Sequence, residues 1–135
     1  MIDLILTVNS SIIYENICID DIMDVIDSLE LSRYYVIILE DPETKDYIQS
    51  ICNRFHGIVE MRINNDSGFK HYRAVIPDFE EKKTILINTG LFDMKTEAAN
   101  FLNTLTIKRI MIDFLNKNDL LINFHWLDIT NEFMI

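Results

Sequence analysis

The stretch Ile58-Val59-Glu60-Met61-Arg62-Ile63-Asn64, the turn Asn65-Asp66-Ser67-Gly68 and the run Phe69-Lys70-His71-Tyr72-Arg73-Ala74-Val75-Ile76 together decide the fold. Val59, Met61 and Ile63 alternate with Glu60 and Arg62, the two-residue period of a half-buried strand. Phe69 to Ile76 alternates again, and Pro77-Asp78 stops it. Two alternating runs around a short polar turn read as an antiparallel pair. A polar loop, Phe79 to Lys83, leads to Thr84-Ile85-Leu86-Ile87-Asn88, which extends the meander until Thr89-Gly90 ends it. The predicted class is therefore α+β (mixed α/β), with helices on a largely antiparallel sheet.

Upstream of this centre, Asp41-Pro42-Glu43 carries a helix-start signal: a capping acid, proline at the first helical position, and an acid in the first turn. Tyr47, Ile48, Ile51, Cys52 and Phe55 supply an apolar stripe, and Gly57 falls where a helix would close. Arg33-Tyr34-Tyr35-Val36-Ile37-Ile38-Leu39-Glu40 is the clearest strand, and its continuous apolar run predicts cover on both faces. Before it, Ile22, Val25, Ile26 and Leu29 fall at i, i+3, i+4 and i+7, predicting a helix over about 20–31 with Asp20 as N-cap. Residues 2–8 read as a buried strand, broken by Asn9-Ser10-Ser11. Ile12-Ile13-Tyr14 either extends that strand or crosses the core.

Downstream, residues 94–118 read as helical, in two stripes out of phase. Ala98, Phe101, Leu102 and Leu105 form one; Ile107, Ile110, Met111, Phe114 and Leu115 form the other. A break near Thr104–Thr106 is the simplest account. Leu121 to Ile129 reads as a closing strand. The expected order is β-α-β-α-β-β-β-α-β with about three helices, in one domain over 1–135.

The 135 residues are 49% hydrophobic, which suits an ordered globule. No apolar run has the ~18 residues that a membrane helix needs. Met1-Ile2-Asp3-Leu4-Ile5-Leu6-Thr7-Val8 has an acid and no basic flank, so no signal peptide is expected and the cytoplasm is the expected compartment. Cys18 and Cys52 each sit among apolar residues and read as small buried hydrophobes.

Glycine is scarce, with three residues, Gly57, Gly68 and Gly90. No phosphate-cradling G-x-G-x-x-G or G-x-x-x-x-G-K-[ST] and no nucleophile elbow can be written from them. No metal-ligand spacing of Cys or His occurs, so no cofactor is expected. His71 and His125, with Arg73 and Glu60, would share a sheet face if their strands were neighbours. Such a group could serve acid–base chemistry on a phosphodiester, or be a set of ordinary sheet-face residues. His56, beside Gly57, reads as structural.

Charge is the most informative feature. Residues 1–46 hold 11 acids and two bases, Arg33 and Lys45, a net of −9 out of −10 for the whole chain. Such a surface repels nucleic acid and anionic membranes and attracts a cationic protein. Asp20, Asp24 and Asp27 recur on one helix face, where like charges cost a few tenths of a kcal/mol per pair. The dipole at the helix start offsets part of this for Asp20, Asp21 and Asp24, but not for Asp27 and Glu30. These five, with Glu40, Asp41, Glu43 and Asp46, are the candidate partner-binding residues. A solvated acidic surface is the competing explanation.

A short, acidic α/β domain without catalytic or cofactor motifs resembles the immunity proteins of bacterial polymorphic-toxin and contact-dependent growth inhibition systems. The resemblance is one of size, charge and architecture over the whole chain. It implies a protein that is not an enzyme and that binds a cognate basic toxin domain, often a nuclease. Its acids would mimic substrate phosphates or cover the toxin's active site. Neither nucleic acid nor membrane is expected as a partner, and the chain is expected to be a monomer or weak homodimer. Tyr14, Tyr34, Tyr47 and Trp126 are candidate anchors if exposed. The other readings are a general adaptor or regulatory domain, and a small hydrolase using His71 and His125.

Overall fold

The computed structural model describes residues 3–134. In chain order the elements are β1 (Ile5–Val8), β2 (Ile12–Tyr14), α1 (Ile19–Asp27), β3 (Tyr35–Glu40), β4 (Tyr47–Cys52), β5 (His56–Asn65), β6 (Gly68–Ala74), β7 (Thr84–Asn88), β8 (Asp93–Glu97), β9 (Leu102–Asn103), α2 (Thr104–Leu115), α3 (Leu120–Asn123) and β10 (Trp126–Asp128). Short 3-10 turns occupy Ala98–Asn100 and Thr130–Phe133. The main sheet has eight strands in the order β10-β6-β5-β4-β3-β1-β2, with β9 on β5, and every pairing is antiparallel. β7 and β8 form a separate hairpin. The α+β class expected from the meander is the class observed.

Three layers follow from which side chains point where. On one sheet face, Leu6, Val8, Ile37, Leu39, Ile48, Cys52, Val59 and Met61 meet Ile22, Val25, Ile26 and Leu29 of the α1 segment and Ile107, Ile110 and Met111 of α2. Each such burial contributes about 1.5–3 kcal/mol, far more than the repulsion within the α1 acids costs. On the other face, Ile51 and Ile58 pack against Ile87, flanked by Tyr34, Val36, Ile85 and Met94. The β7–β8 hairpin thus covers one end of that face, and β3 has cover on both sides as its composition predicts.

The expected β5–β6 hairpin forms, with Asn65 opposite Gly68 and Glu60 opposite Arg73. Gly68 takes φ 144, which glycine tolerates without a Cβ penalty. Asn9 and Ser10 both adopt positive φ, so the expected break at Asn9–Ser11 is a hairpin loop, and Ile12–Tyr14 extends the sheet as β2. Of the strand expected at 2–8, Ile2 lies outside the described residues, and the strand itself spans Ile5–Val8.

Five expectations are corrected. Thr84–Asn88 does not extend the β5–β6 meander; as β7 it pairs with β8 in a hairpin of its own. The helix expected after Asp41-Pro42-Glu43 is a strand, β4. Asp41 does act as a capping acid: its Oδ1 accepts from the Glu43 and Thr44 amides at 2.9 and 3.4 Å. Lys45 then adopts φ 67, and the Asp41 amide donates to the Asp46 carbonyl at 2.9 Å. The turn closes a hairpin instead of opening a helix. Gly57 accordingly lies in β5, opposite Cys52, and not at a helix end.

The helix expected over 94–118 begins only at Thr104, where Asn103 accepts from the Thr106 amide at 2.9 Å. Residues 93–97 instead pair with β7 as β8. The closing strand expected over 121–129 is a short helix, α3, capped by Asp119, followed by the three residues of β10. The first helix starts at Ile19, with Cys18 and not Asp20 as N-cap; Asp21 Oδ2 accepts from the Cys18 amide at 2.8 Å.

Candidate functional site

The acidic residues of the first third divide into those used by the fold and those free of it. On α1, Asp20, Asp24 and Asp27 lie opposite the buried Ile22, Val25 and Ile26, so their ridge points away from the sheet. Asp21 is spent on the cap. Asp27 pairs with Lys108 of α2. Asp20, Asp24 and Glu30 are exposed, and among the described residues none has a cation within ion-pair distance.

The second acidic group sits at the β3–β4 hairpin. Asp41 is buried in its own turn, and Asp46 Oδ1 accepts from the Asn64 amide at 2.7 Å. Glu43 is exposed at the loop tip. Glu40 projects from the face opposite the helices, beside Tyr47. With no second helix, the two acidic groups do not share a helical layer. They approach only at one end, where adjoining clefts share Leu4 and Lys117. Asp41 and Asp46 line one cleft; Asp3 and Asp20 line the other. Lys117 stands between the groups. Glu30 lies at the far end, where its carbonyl accepts from the Arg54 amide at 3.3 Å.

The basic and histidine side chains of the meander form a separate, tightly bonded cluster. Glu60 Oε2 accepts from Arg73 Nε and Nη2 at 3.2 and 3.0 Å. Glu60 Oε1 lies 2.7 Å from His71 Nε2, and Arg62 Nε donates to His71 Nδ1 at 3.1 Å. Because Arg62 donates to Nδ1, the ring proton belongs on Nε2, which donates to Glu60. The Arg62 guanidinium stacks over Phe69 at 4.1 Å and Phe133 at 5.0 Å. Phe133 lies 4.1 Å from the His71 ring.

His71 is 2% exposed and both its ring nitrogens are engaged. His125 is exposed, and none of the side-chain hydrogen bonds among the described residues joins its ring to this cluster. Glu60, His71 and Arg73 therefore gather as expected, without His125, and the arrangement clamps the C-terminal turn onto the sheet.

Of the four expected anchors, Tyr14 alone is exposed. Burial raises the phenol pKa of Tyr34 and Tyr47 above its ordinary value; for Tyr47, Arg62 opposes the shift while Glu60 and Glu40 add to it. Trp126 Nε1 donates to the Leu120 carbonyl at 2.8 Å. Cys52 is buried and its thiol is pushed up to about 11 by desolvation, whereas Cys18 is exposed at the helix cap.

Sequence periodicity misses one surface: Ile12, Ile13 and Tyr14 of β2 are all exposed. A three-residue run is too short for its period to separate strand from crossover. The signal that marks it is composition, since three large apolar residues follow a polar turn with no charge among them.

No group of three or more His, Cys, Asp or Glu side chains suited to a metal occurs among the described residues, and no described helix is long and apolar enough to cross a membrane. Comparison with family models, curated proteins and solved structures returns no match.

Proposed function

We propose that this chain is a protein-binding neutraliser of the immunity type, which captures a cognate basic toxin domain in the cytoplasm of the cell that makes it. The observation that carries this reading is the pair of free acids, Asp20 and Asp24, on the outer ridge of α1, whose third acid, Asp27, pairs with Lys108. Asp20 and Asp24 are exposed, point away from the core and have no cationic neighbour among the described residues within ion-pair distance. The dipole at the helix start favours both, yet neither is bonded to another element of the fold. An exposed field of one sign accelerates capture of an oppositely charged protein, toward about 10⁸–10⁹ M⁻¹s⁻¹ at low salt.

Exposed apolar residues lie within the same segment, at Ile12, Ile13, Tyr14 and Ile19. An apolar patch rimmed by charge is the ordinary composition of a binding surface. The Glu60–His71 cluster supports a structural role rather than a catalytic one, because its polar atoms bond to one another.

The test is protection. The basic C-terminal domain of a secreted protein encoded beside this chain is expressed in a susceptible host, alone and with this chain. The expected result is rescue of growth and a complex that co-elutes in gel filtration. Toxicity that persists with this chain present, with no complex formed, contradicts the proposal.

A further inference from the structure

Among the described residues, β2 forms one edge of the main sheet and pairs only with β1. Such an edge presents unpaired amide and carbonyl groups, and proteins usually guard it with lysine, proline, a bulge or a covering element. β2 has no lysine or proline. Its sequence is Ile12-Ile13-Tyr14, with relative exposures of 51%, 61% and 38%. The opposite edge, β10, differs: it carries Asp128, which is bonded to the turn that follows.

The chain segment that holds β2 carries acids and no base, and among the described residues the cations that reach it from elsewhere are Lys108, on Asp27, and Lys117, in the cleft with Asp20. Residues 3–32, which span β1, β2, α1 and their loops, include Asp3, Glu15, Asp20, Asp21, Asp24, Asp27 and Glu30 and no lysine or arginine. Four residues, Glu15–Cys18, join β2 to α1, which packs beside α2. The short connection keeps Asp20, at the start of α1, within reach of a segment that docks on the β2 edge.

We infer that β2 is the docking edge for an extended, cationic strand of the partner protein, which joins the sheet beside it. This rests on the protein-binding reading above and names the surface and the kind of segment it takes. Main-chain hydrogen bonds along the edge supply affinity, and alternating side chains supply selectivity. Apolar residues of the incoming strand meet Ile12, Ile13 and Tyr14, and its lysines or arginines meet Glu15 and the α1 acids. A second copy of this chain is a poor occupant, because it would bring the same uncompensated acids to the edge.

The test uses the intact chain and a short blocked peptide alternating Lys and Val, with binding followed by backbone amide NMR and hydrogen exchange. The expected result is that the Ile12, Ile13 and Tyr14 amides shift. The same peptide N-methylated at alternate residues keeps its charge but cannot form the ladder, and is expected to bind at least about tenfold more weakly. A Glu/Val peptide is expected to leave β2 unperturbed.

Shifts confined to α1, equal binding of the N-methylated peptide, or no shift at millimolar peptide each overturn the docking edge. The first of these leaves the electrostatic reading standing. Equal perturbation of β2 by the Glu/Val peptide overturns the cationic partner, and removes the support for a basic toxin while edge pairing survives.

Discussion

At the residue scale, polar side chains at the C-terminal edge of the sheet act as fasteners. Asp128 accepts from the Thr130 hydroxyl and, at 2.9 Å, from the Thr130 amide, while Thr130 Oγ1 accepts from the His71 amide at 2.9 Å. These bonds hold the Asp128 carboxyl below its usual range, the Thr130 hydroxyl first, then the Thr130 amide, with Lys70 adding to the effect. A lowered folded pKa means that Asp128 stabilises the fold above its unfolded value of about 3.9, and that this contribution is lost as pH falls through the folded value. Asp128→Asn keeps an acceptor for Thr130 but cannot titrate. Its stability is expected to fall less between neutral pH and about pH 3 than that of the parent, measured as the shift in urea midpoint. The same acid-induced loss in both proteins would contradict this role.

At the scale of elements, the four-residue turn 53–56 sets how β4 meets β5. Asn53 Oδ1 accepts from the Phe55 and His56 amides, each at 2.8 Å, and Asn53 Nδ2 donates to the Leu31 carbonyl at 3.2 Å. Gly57 follows, where an added Cβ would stand 2.3 Å from both Cys52 Cβ and the Ile51 carbonyl oxygen. Neither atom can move without shifting β4. Gly57→Ala is expected to cost at least about 2 kcal/mol in chemical unfolding, and a loss within about 0.5 kcal/mol would contradict this packing.

The same pair of strands shows how much of the fold was legible. β5 and β6 have one face toward the core and the other toward polar groups, so their period of two is plain in the sequence. β4 has Ile48 under the helices and Ile51 under the hairpin, so burial on both faces leaves apolar spacing that matches a helix. Similarly, Asp93–Glu97 contains good helix formers, and its pairing with β7 overrides that local preference. The change of phase near Thr104 marks where α2 starts, with Asn103 as its cap, although the stripe before it belongs to strand and turn and not to a helix.

At the scale of the whole molecule, the charge imbalance was legible as a number but not as a place. Composition alone does not reveal that Asp21, Asp41 and Asp46 satisfy backbone amides, that Asp27 holds Lys108, or that Glu40 faces away from the helices. Of the nine candidate acids, the exposed ones whose carboxylates have no bond among the described residues are Asp20, Asp24, Glu30 and Glu43, the first two on the outer ridge of α1. Charge reversal at Asp27 would set two lysines together across α1 and α2, so it is unsuited to a binding test. Asp20→Lys with Asp24→Lys changes the field and leaves the core intact. The most direct measurement is the association rate of this chain with the basic partner domain proposed above, followed by stopped flow across a range of salt. The parent is expected to associate more slowly as salt rises, and the double variant to be about tenfold slower at low salt with a flatter salt dependence. An association rate and salt slope unchanged by the double substitution would contradict the claim that the α1 ridge receives a cationic partner.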